Sequence, residues 1–178
     1  MILVCYDGSV NAQAAIDHAA GLMEGAEAAV LTIWEPFLDG MIRSGAMGMG
    51  MGMGMAIGPT IPFDDDEKID AANQQAALQT ATNGAERATA AGLHAQPHTA
   101  SGHGGVPNAI LTVAADVNAN VIVLGTRGLG GMKSFLLGSV SHAVIQHADR
   151  AVLIVPSSEL AEQRHRWARH TDATGERP

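Results

Sequence analysis

The sequence has little cysteine, little positive charge and no long apolar run, and each shortage excludes a class of protein. Cys5 is the only cysteine in 178 residues, so an intrachain disulfide cannot form and a cysteine-based zinc site has too few ligands. Ten lysines and arginines are outnumbered by 18 aspartates and glutamates, which gives a formal net charge of -8. This charge disfavours attraction to nucleic acid or to an anionic membrane surface, so we expect neither partner.

The first apolar run, residues 2–6, is too short for the core of a signal peptide and has no basic flank. No segment approaches the length that crosses a membrane. Together with the single cysteine, these features indicate a cytoplasmic protein.

Short apolar runs alternate with segments of helical pattern along most of the chain. The strand candidates are residues 2–6, 28–34, 93–100, 121–124 and 151–155. The helix candidates lie at 11–23, 64–91, 106–117 and 139–147. The polar third strand suits a sheet edge. This order predicts an α/β fold, an open five-stranded parallel sheet with helices on both faces that binds ligands beyond the carboxyl ends of its strands.

Two segments depart from this alternation. Glycine and methionine alternate strictly at 48–55, and we interpret residues 40–62 as a flexible insertion. Residues 157–178 are charged and poor in apolar side chains, as is typical of a frayed tail or a short surface helix, and a docking role is the alternative. The sequence therefore predicts one domain, residues 1–156, and a C-terminal tail, residues 157–178.

The fourth strand candidate runs into a glycine-rich segment from Gly125 to Ser139, of the form GxxGx9G followed by serine. Glycines allow a ligand to approach the backbone closely, and the N–H groups at the start of the next helix suit phosphate oxygens. We expect Ser139 to cap that helix and to donate its hydroxyl, and Arg127 to add a charge-assisted contact. The segment is neither a Walker P-loop nor a GxGxxG dinucleotide motif. It predicts a phosphate cradle of another kind.

This spacing, after this strand, resembles the ATP-binding branch of the universal stress protein family. The resemblance extends over about residues 1–156 and includes ILVCYDGS, ASGHGGVPNAIL, the GxxGx9GS signature and SHAVIQHADRAVLIVP. It implies strand order 3-2-1-4-5, ATP across the carboxyl ends of the first and fourth strands, and a homodimer formed through the last strand. It also implies a regulatory protein of the stress response with at most slow ATP hydrolysis.

The resemblance assigns nucleotide contacts residue by residue. Asp7 matches the aspartate near the adenine and ribose, and Ile33 matches the residue whose backbone meets the adenine. The ribose and phosphate positions are matched by Gly125, Arg127, Gly128, Gly138, Ser139, Val140 and Ser141. The alternatives are an Asx-type turn at Asp7, a purely core position at Ile33 and simple turn glycines in the loop.

We find no convincing catalytic base near the loop, and we interpret His142 as a packing or surface residue, so no catalytic residue is assigned. Any Mg²⁺ would be held mainly by phosphate oxygens and water rather than by a protein site. One alternative is a nucleotide-independent interaction module. Another is a Cu(I) binder, whose soft thioether ligands would be Met47, Met49, Met51, Met53 and Met55. The same methionines also suit a flap over the nucleotide or a partner-binding surface.

Overall fold

The computed structural model describes residues 1–37, 39–40, 66–126, 137–156 and 161–162. Its strands are β1 Ile2–Cys5, β2 Glu27–Trp34, β3 His94–Ser101, β4 Val121–Gly125 and β5 Ala151–Val155. Its helices are α1 Val10–Leu22, α2 Asp66–Ala90, α3 Val106–Asp116 and α4 Ser139–His147. Residues 41–62 of the predicted insertion, and all of the predicted tail except 161–162, lie outside the described residues.

The five strands form one sheet in the order β3-β2-β1-β4-β5, and every neighbouring pair is parallel. In the centre of the sheet, Ile2 of β1 pairs with Ala28 of β2 on one side and with Val121 of β4 on the other. The predicted parallel sheet and its order 3-2-1-4-5 are confirmed. Strand order reverses between β1 and β4, and at such a point a crevice opens beyond the carboxyl ends of the two strands.

Side chains that alternate along β1 enter two separate cores. Val4 packs in a cluster with the small residues of α1 and α2, whereas Leu3 packs in a second cluster with α3 and α4. Both side chains are fully buried, as period-two alternation requires of a central strand covered on each face. Helices therefore lie on both faces, as predicted.

Glycines end the two helices of the first face. Gly25 follows α1 with φ of 75° and Gly92 follows α2 with φ of 102°, conformations that an L side chain rarely adopts. The Gly25 N–H donates to the Gly92 carbonyl at 2.9 Å, which holds the two helix ends together. Among the helices of the described residues, none is both long enough and apolar enough to cross a membrane.

Candidate functional site

The carboxyl ends of β1 and β4 lie side by side, and the segment after each strand leads into a helix. After β1, Asp7 Oδ1 accepts a hydrogen bond from the Ser9 N–H at 3.0 Å, and Ser9 Oγ accepts one from the Ala12 N–H at 3.2 Å. Ser9 is thereby the N-cap of α1, and Gly8 turns the chain with φ of 82°. The Asx-type turn at Asp7 that the sequence left open is present, and it places Asp7 at the edge of the crevice.

The end of β4 is in close contact with the start of α1. A Cβ atom on Gly125 would lie 3.1 Å from the carbonyl oxygen of Asn11 and 3.2 Å from its carbonyl carbon. A side chain at position 125 would require the Asn11 backbone to shift by a few tenths of an ångström, so this close approach favours glycine. Packing against α1 is therefore one reason for a glycine here.

The two ends of the glycine-rich loop meet at a pair of hydrogen bonds. The Thr126 N–H donates to the Val155 carbonyl of β5 at 2.9 Å, and the Gly138 N–H donates to the Thr126 carbonyl at 2.9 Å. These bonds join Thr126 and Gly138, the two ends of the loop, to each other and to β5, and we call this arrangement the closed stem of the loop. Arg127 and Gly128, which the sequence assigned to the nucleotide, lie outside the described residues.

Gly138, and not Ser139, is the N-cap of α4, so the predicted capping role of Ser139 is wrong. Gly138 has the extended ψ of 152° that precedes a helix, and no side chain caps this end. Ser139 is the first helical residue, where its own backbone is already helical, and it is exposed. The first hydrogen bond of the helix runs from the His142 N–H to the Gly138 carbonyl at 2.9 Å.

The N–H groups of Ser139, Val140 and Ser141 precede that first helical bond, as the leading N–H groups of any helix do. The side chains of the three residues differ: Ser139 is exposed, Val140 packs against the second core, and Ser141 is buried with its hydroxyl donating to the Gly125 carbonyl at 2.9 Å. A ligand in front of α4 would thus meet backbone N–H groups and the Ser139 side chain.

The side chain and the backbone of Ile33 face different surroundings. Its side chain packs against the second core. Its peptide groups lie on the same side of β2 as those of Leu31, whose carbonyl accepts from the Tyr6 N–H at 2.8 Å, because peptide groups alternate along a strand. Since β1 ends at Cys5, the Ile33 peptide groups face the space just beyond β1.

Contacts near the carboxyl ends of β2, β3 and β4 involve residues that the sequence does not assign to the site. A Cβ on Gly102, just after β3, would lie 3.2 Å from Ile33 Cγ2, and His103 Nδ1 lies 2.8 Å from Asp39 Oδ2. Asn11 contacts Gly125 through its backbone. The glycines of the SGHGG segment were a visible signal for Gly102, whereas a backbone contact such as that of Asn11 has no signature in residue type.

The charges of the site suit an anion at the loop. The first turn of α4 contains no acidic residue, so the partial positive charge of this helix start is not neutralised by its own side chains; at α1, in contrast, the Asp7 carboxylate accepts from the Ser9 N–H. Burial raises the pKa of the Cys5 thiol at the end of β1 to about 12, and the nearby Asp7 carboxylate adds to the shift, so the thiol is neutral.

The described residues test neither metal interpretation made from the sequence, Mg²⁺ held by the phosphates or Cu(I) held by the methionines. Within the residues that the structure describes, no three histidine, cysteine, aspartate or glutamate side chains are grouped as metal ligands. The five methionines of the copper alternative lie outside the described residues. His142 is exposed on α4.

Comparison with known proteins finds one family. The sequence profile of the universal stress protein family matches residues 53–156, more than half of the chain. A putative universal stress protein of Staphylococcus saprophyticus is 43% identical over 60 residues, which are 33% of this chain and 36% of that protein. The match thus spans about a third of that relative's length.

Solved structures share the fold at low identity. The hypothetical protein MJ0577 has a TM-score of 0.64 at 20% identity, with 87% of this chain and 94% of that chain covered. The universal stress protein from Archaeoglobus fulgidus in complex with dAMP has a TM-score of 0.52 at 21% identity, with 86% and 94% covered. At such identities the similarity concerns the fold alone.

Proposed function

Since this chain belongs to the universal stress protein family, we propose that it is an ATP-binding regulatory protein of the cytoplasmic stress response. ATP lies across the carboxyl ends of β1 and β4, with its phosphates in front of α4. The base and ribose contact Asp7 and the Ile33 backbone. The ribose and phosphates contact Gly125, Arg127, Gly128, Gly138, Ser139, Val140 and Ser141.

The observation that carries this proposal is the closed stem of the glycine-rich loop. The hydrogen bond from the Gly138 N–H to the Thr126 carbonyl, at 2.9 Å, brings the loop back to β4 just where α4 begins. Three leading N–H groups of α4 therefore stand beside this hydrogen bond, and no acidic side chain in the first turn competes for them. Backbone N–H groups at a helix start are a general means of binding phosphate.

The adenine part of the proposal is supported by the fold neighbour from Archaeoglobus fulgidus, which is described in complex with dAMP. The Ile33 peptide groups, which face the space beyond β1, suit the edge of a base. A base held through peptide groups needs no distinctive side chain, which agrees with the apolar character of Ile33. The triphosphate is proposed from the resemblance of the GxxGx9GS signature to that of the ATP-binding branch of the family.

We propose at most slow hydrolysis of the bound ATP. A hydrolase needs a base placed at the attacking water, or a metal that lowers the pKa of that water. His142 lies on the exposed surface of α4, which supports its interpretation as a surface residue. Mg²⁺ would accompany the phosphates and be held by their oxygens and by water.

A homodimer through β5 is part of the proposal, because the two edges of the sheet differ. The β3 edge carries Pro97 opposite Val30, together with exposed His94 and Gln96, and proline cannot donate to a further strand. The β5 edge, Ala151–Val155, is apolar throughout and contains no proline. No proline or charged residue of β5 prevents pairing with another strand, and pairing two β5 strands would cover this edge.

The function is tested by asking what the purified protein carries and binds. The protein is denatured, and the supernatant is analysed for adenine nucleotides by ion-pair chromatography. Nucleotide-free protein is then titrated with ATP, AMP and adenosine. We expect ATP to bind more tightly than adenosine, because only ATP reaches the start of α4. Protein that carries no nucleotide and binds none of the three ligands would instead support a nucleotide-independent interaction module.

A further inference from the structure

The Ser141 hydroxyl makes a hydrogen bond within the protein. It is buried, with 4% of the residue exposed, and donates to the Gly125 carbonyl at 2.9 Å. A carbonyl oxygen only accepts hydrogen bonds, so the single hydroxyl proton of Ser141 is used in this contact and is not available to a phosphate. The side chain therefore joins the first turn of α4 to the last residue of β4.

Gly125 is held from its other side by the first turn of α1. Its Cα lies so close to the Asn11 backbone that a Cβ would be 3.1 Å from the Asn11 carbonyl oxygen. The starts of α1 and α4 thus meet at one residue, Gly125, by a close packing contact on one side and a hydrogen bond on the other. We name this contact set, Asn11–Gly125–Ser141, the β4 junction.

We propose that Ser141 is a positioning residue, which sets the phosphate-binding start of α4 against the sheet through the β4 junction and does not contact the nucleotide with its side chain. This inference rests on the proposed function. The Ser141 N–H remains a phosphate donor, and the hydroxyl acts by fixing where that N–H and those of Ser139 and Val140 lie.

The geometry makes the effect selective for phosphate. The base end of the proposed site is built from Asp7 after β1 and from the Ile33 peptide groups of β2. Neither belongs to the β4 junction. Loss of the Ser141 hydroxyl would therefore misplace the helix start and leave the base contacts in place, because hydrogen-bond donors must meet phosphate oxygens within a few tenths of an ångström.

The test compares Ser141→Ala with the parent protein by titration with ATP and with adenosine, which lacks phosphate. We expect ATP to bind about tenfold more weakly to the variant, because displaced N–H groups at the start of α4 would lose about one net hydrogen bond to the phosphates. Adenosine should bind within about twofold of the parent. Thr32→Val is the matched control. Thr32 is also buried and donates its hydroxyl to a backbone carbonyl, that of Tyr6, at 2.8 Å. Any loss in this control should be equal for ATP and adenosine.

A second measurement separates positioning from direct contact. Amide hydrogen exchange is followed at residues 139–145 in the nucleotide-free protein. A positioning role predicts faster exchange in Ser141→Ala than in the parent even without nucleotide, because the tie to Gly125 exists in the free protein. A hydroxyl that bound phosphate directly would leave the exchange of the free protein unchanged.

Several results would overturn this inference alone. They are a selective loss of ATP binding with unchanged exchange, an equal loss of ATP and adenosine, or no loss at all. A parent protein that binds neither ligand would overturn the proposed function, and this inference with it.

Discussion

At the scale of single residues, two glycines within helices show that the effect of an added side chain on stability depends on the atoms around it. Gly84 lies on the buried face of α2, and a Cβ there would be 2.6 Å from Tyr6 Cδ1 and 2.9 Å from Val30 Cγ1. Gly21 lies on the exposed side of α1, where a Cβ would meet nothing within 4 Å. Alanine favours the helix at both positions, so only the packing distinguishes them.

We expect Gly84→Ala to lower the free energy of unfolding by about 1–3 kcal/mol, since the rigid Tyr6 ring cannot rotate away from the new methyl group. Gly21→Ala is the control and should raise it by up to about 1 kcal/mol. Both changes in the free energy of unfolding are to be measured by urea denaturation at neutral pH. Equal effects of the two substitutions would show that α2 does not pack against Tyr6 as described.

The Cys5 thiol gives a prediction about pH. Its pKa is raised from 9.0 to about 12 by burial and by Asp7, so its thiolate fraction at neutral pH is far below that of a free thiol. We expect alkylation by iodoacetamide at pH 8 to be slower by two to three orders of magnitude in the native protein than in urea. Alkylation at similar rates in the two states would contradict this placement of Cys5.

The raised pKa of Cys5 also determines how the stability of the fold changes with pH. The unfolded thiol ionises above pH 9.0, whereas the folded thiol resists ionisation up to about pH 12. The stabilising contribution of the neutral thiol is therefore complete below pH 9 and is lost as the pH rises through this window. Alanine or serine at position 5 should remove this part of the alkaline destabilisation.

At the scale of elements, the register of β5 shows which backbone groups a second copy would use. The Val155 carbonyl accepts from Thr126 of β4, so the peptide groups of residues 151, 153 and 155 face β4. Those of Val152 and Ile154 face away from the sheet, because alternate peptide groups point to opposite sides. Proline at position 152 would therefore remove an outward N–H and no bond to β4.

We expect Val152→Pro to convert a homodimer into a monomer in sedimentation velocity at micromolar concentration. Pro97 in the β3 edge shows that this sheet accommodates an edge proline. Val152→Thr, which keeps the N–H and the branched shape, should stay dimeric. A monomeric parent protein, or a dimer that persists in Val152→Pro, would contradict pairing through β5.

The elements themselves could be predicted closely from the sequence, because each depends on local patterns. The bounds of α4 and β5 agree with the predicted 139–147 and 151–155, and the polar strand lies at the sheet edge as expected. The division at residue 156, the nucleotide contacts and the dimer stay predictions.

Contacts made by backbone atoms were less visible in the sequence. The cap of α4 was assigned to Ser139 from serine's preference for that position, whereas the backbone geometry gives it to Gly138. The Asn11 contact with Gly125 depends on how α1 packs across the sheet, which no local pattern encodes. The features that could not be predicted from the sequence are therefore mostly tertiary contacts at the site.

At the scale of the whole molecule, nucleotide binding and folding are linked. A ligand that binds only the folded chain stabilises it by RT ln(1 + [L]/Kd), about 2.7 kcal/mol at one hundred times Kd. For a chain of this size we expect saturating ATP to raise Tm by about 5–10 °C. Differential scanning fluorimetry with ATP, and with inorganic triphosphate as the control, measures this. An unchanged Tm at saturating ATP would contradict a site built into the folded domain.

The central claim is that ATP binds at the closed stem of the glycine-rich loop, in front of α4. Isothermal titration of nucleotide-free protein with ATP, in the parent and in Gly138→Val, tests it most directly, because the valine side chain would stand at the helix start that receives the phosphates. We predict one ATP per chain for the parent and at least about tenfold weaker binding for the variant, with its thermal unfolding within a few degrees of the parent. A parent that takes up no ATP, or a variant that binds as tightly as the parent, would contradict the account.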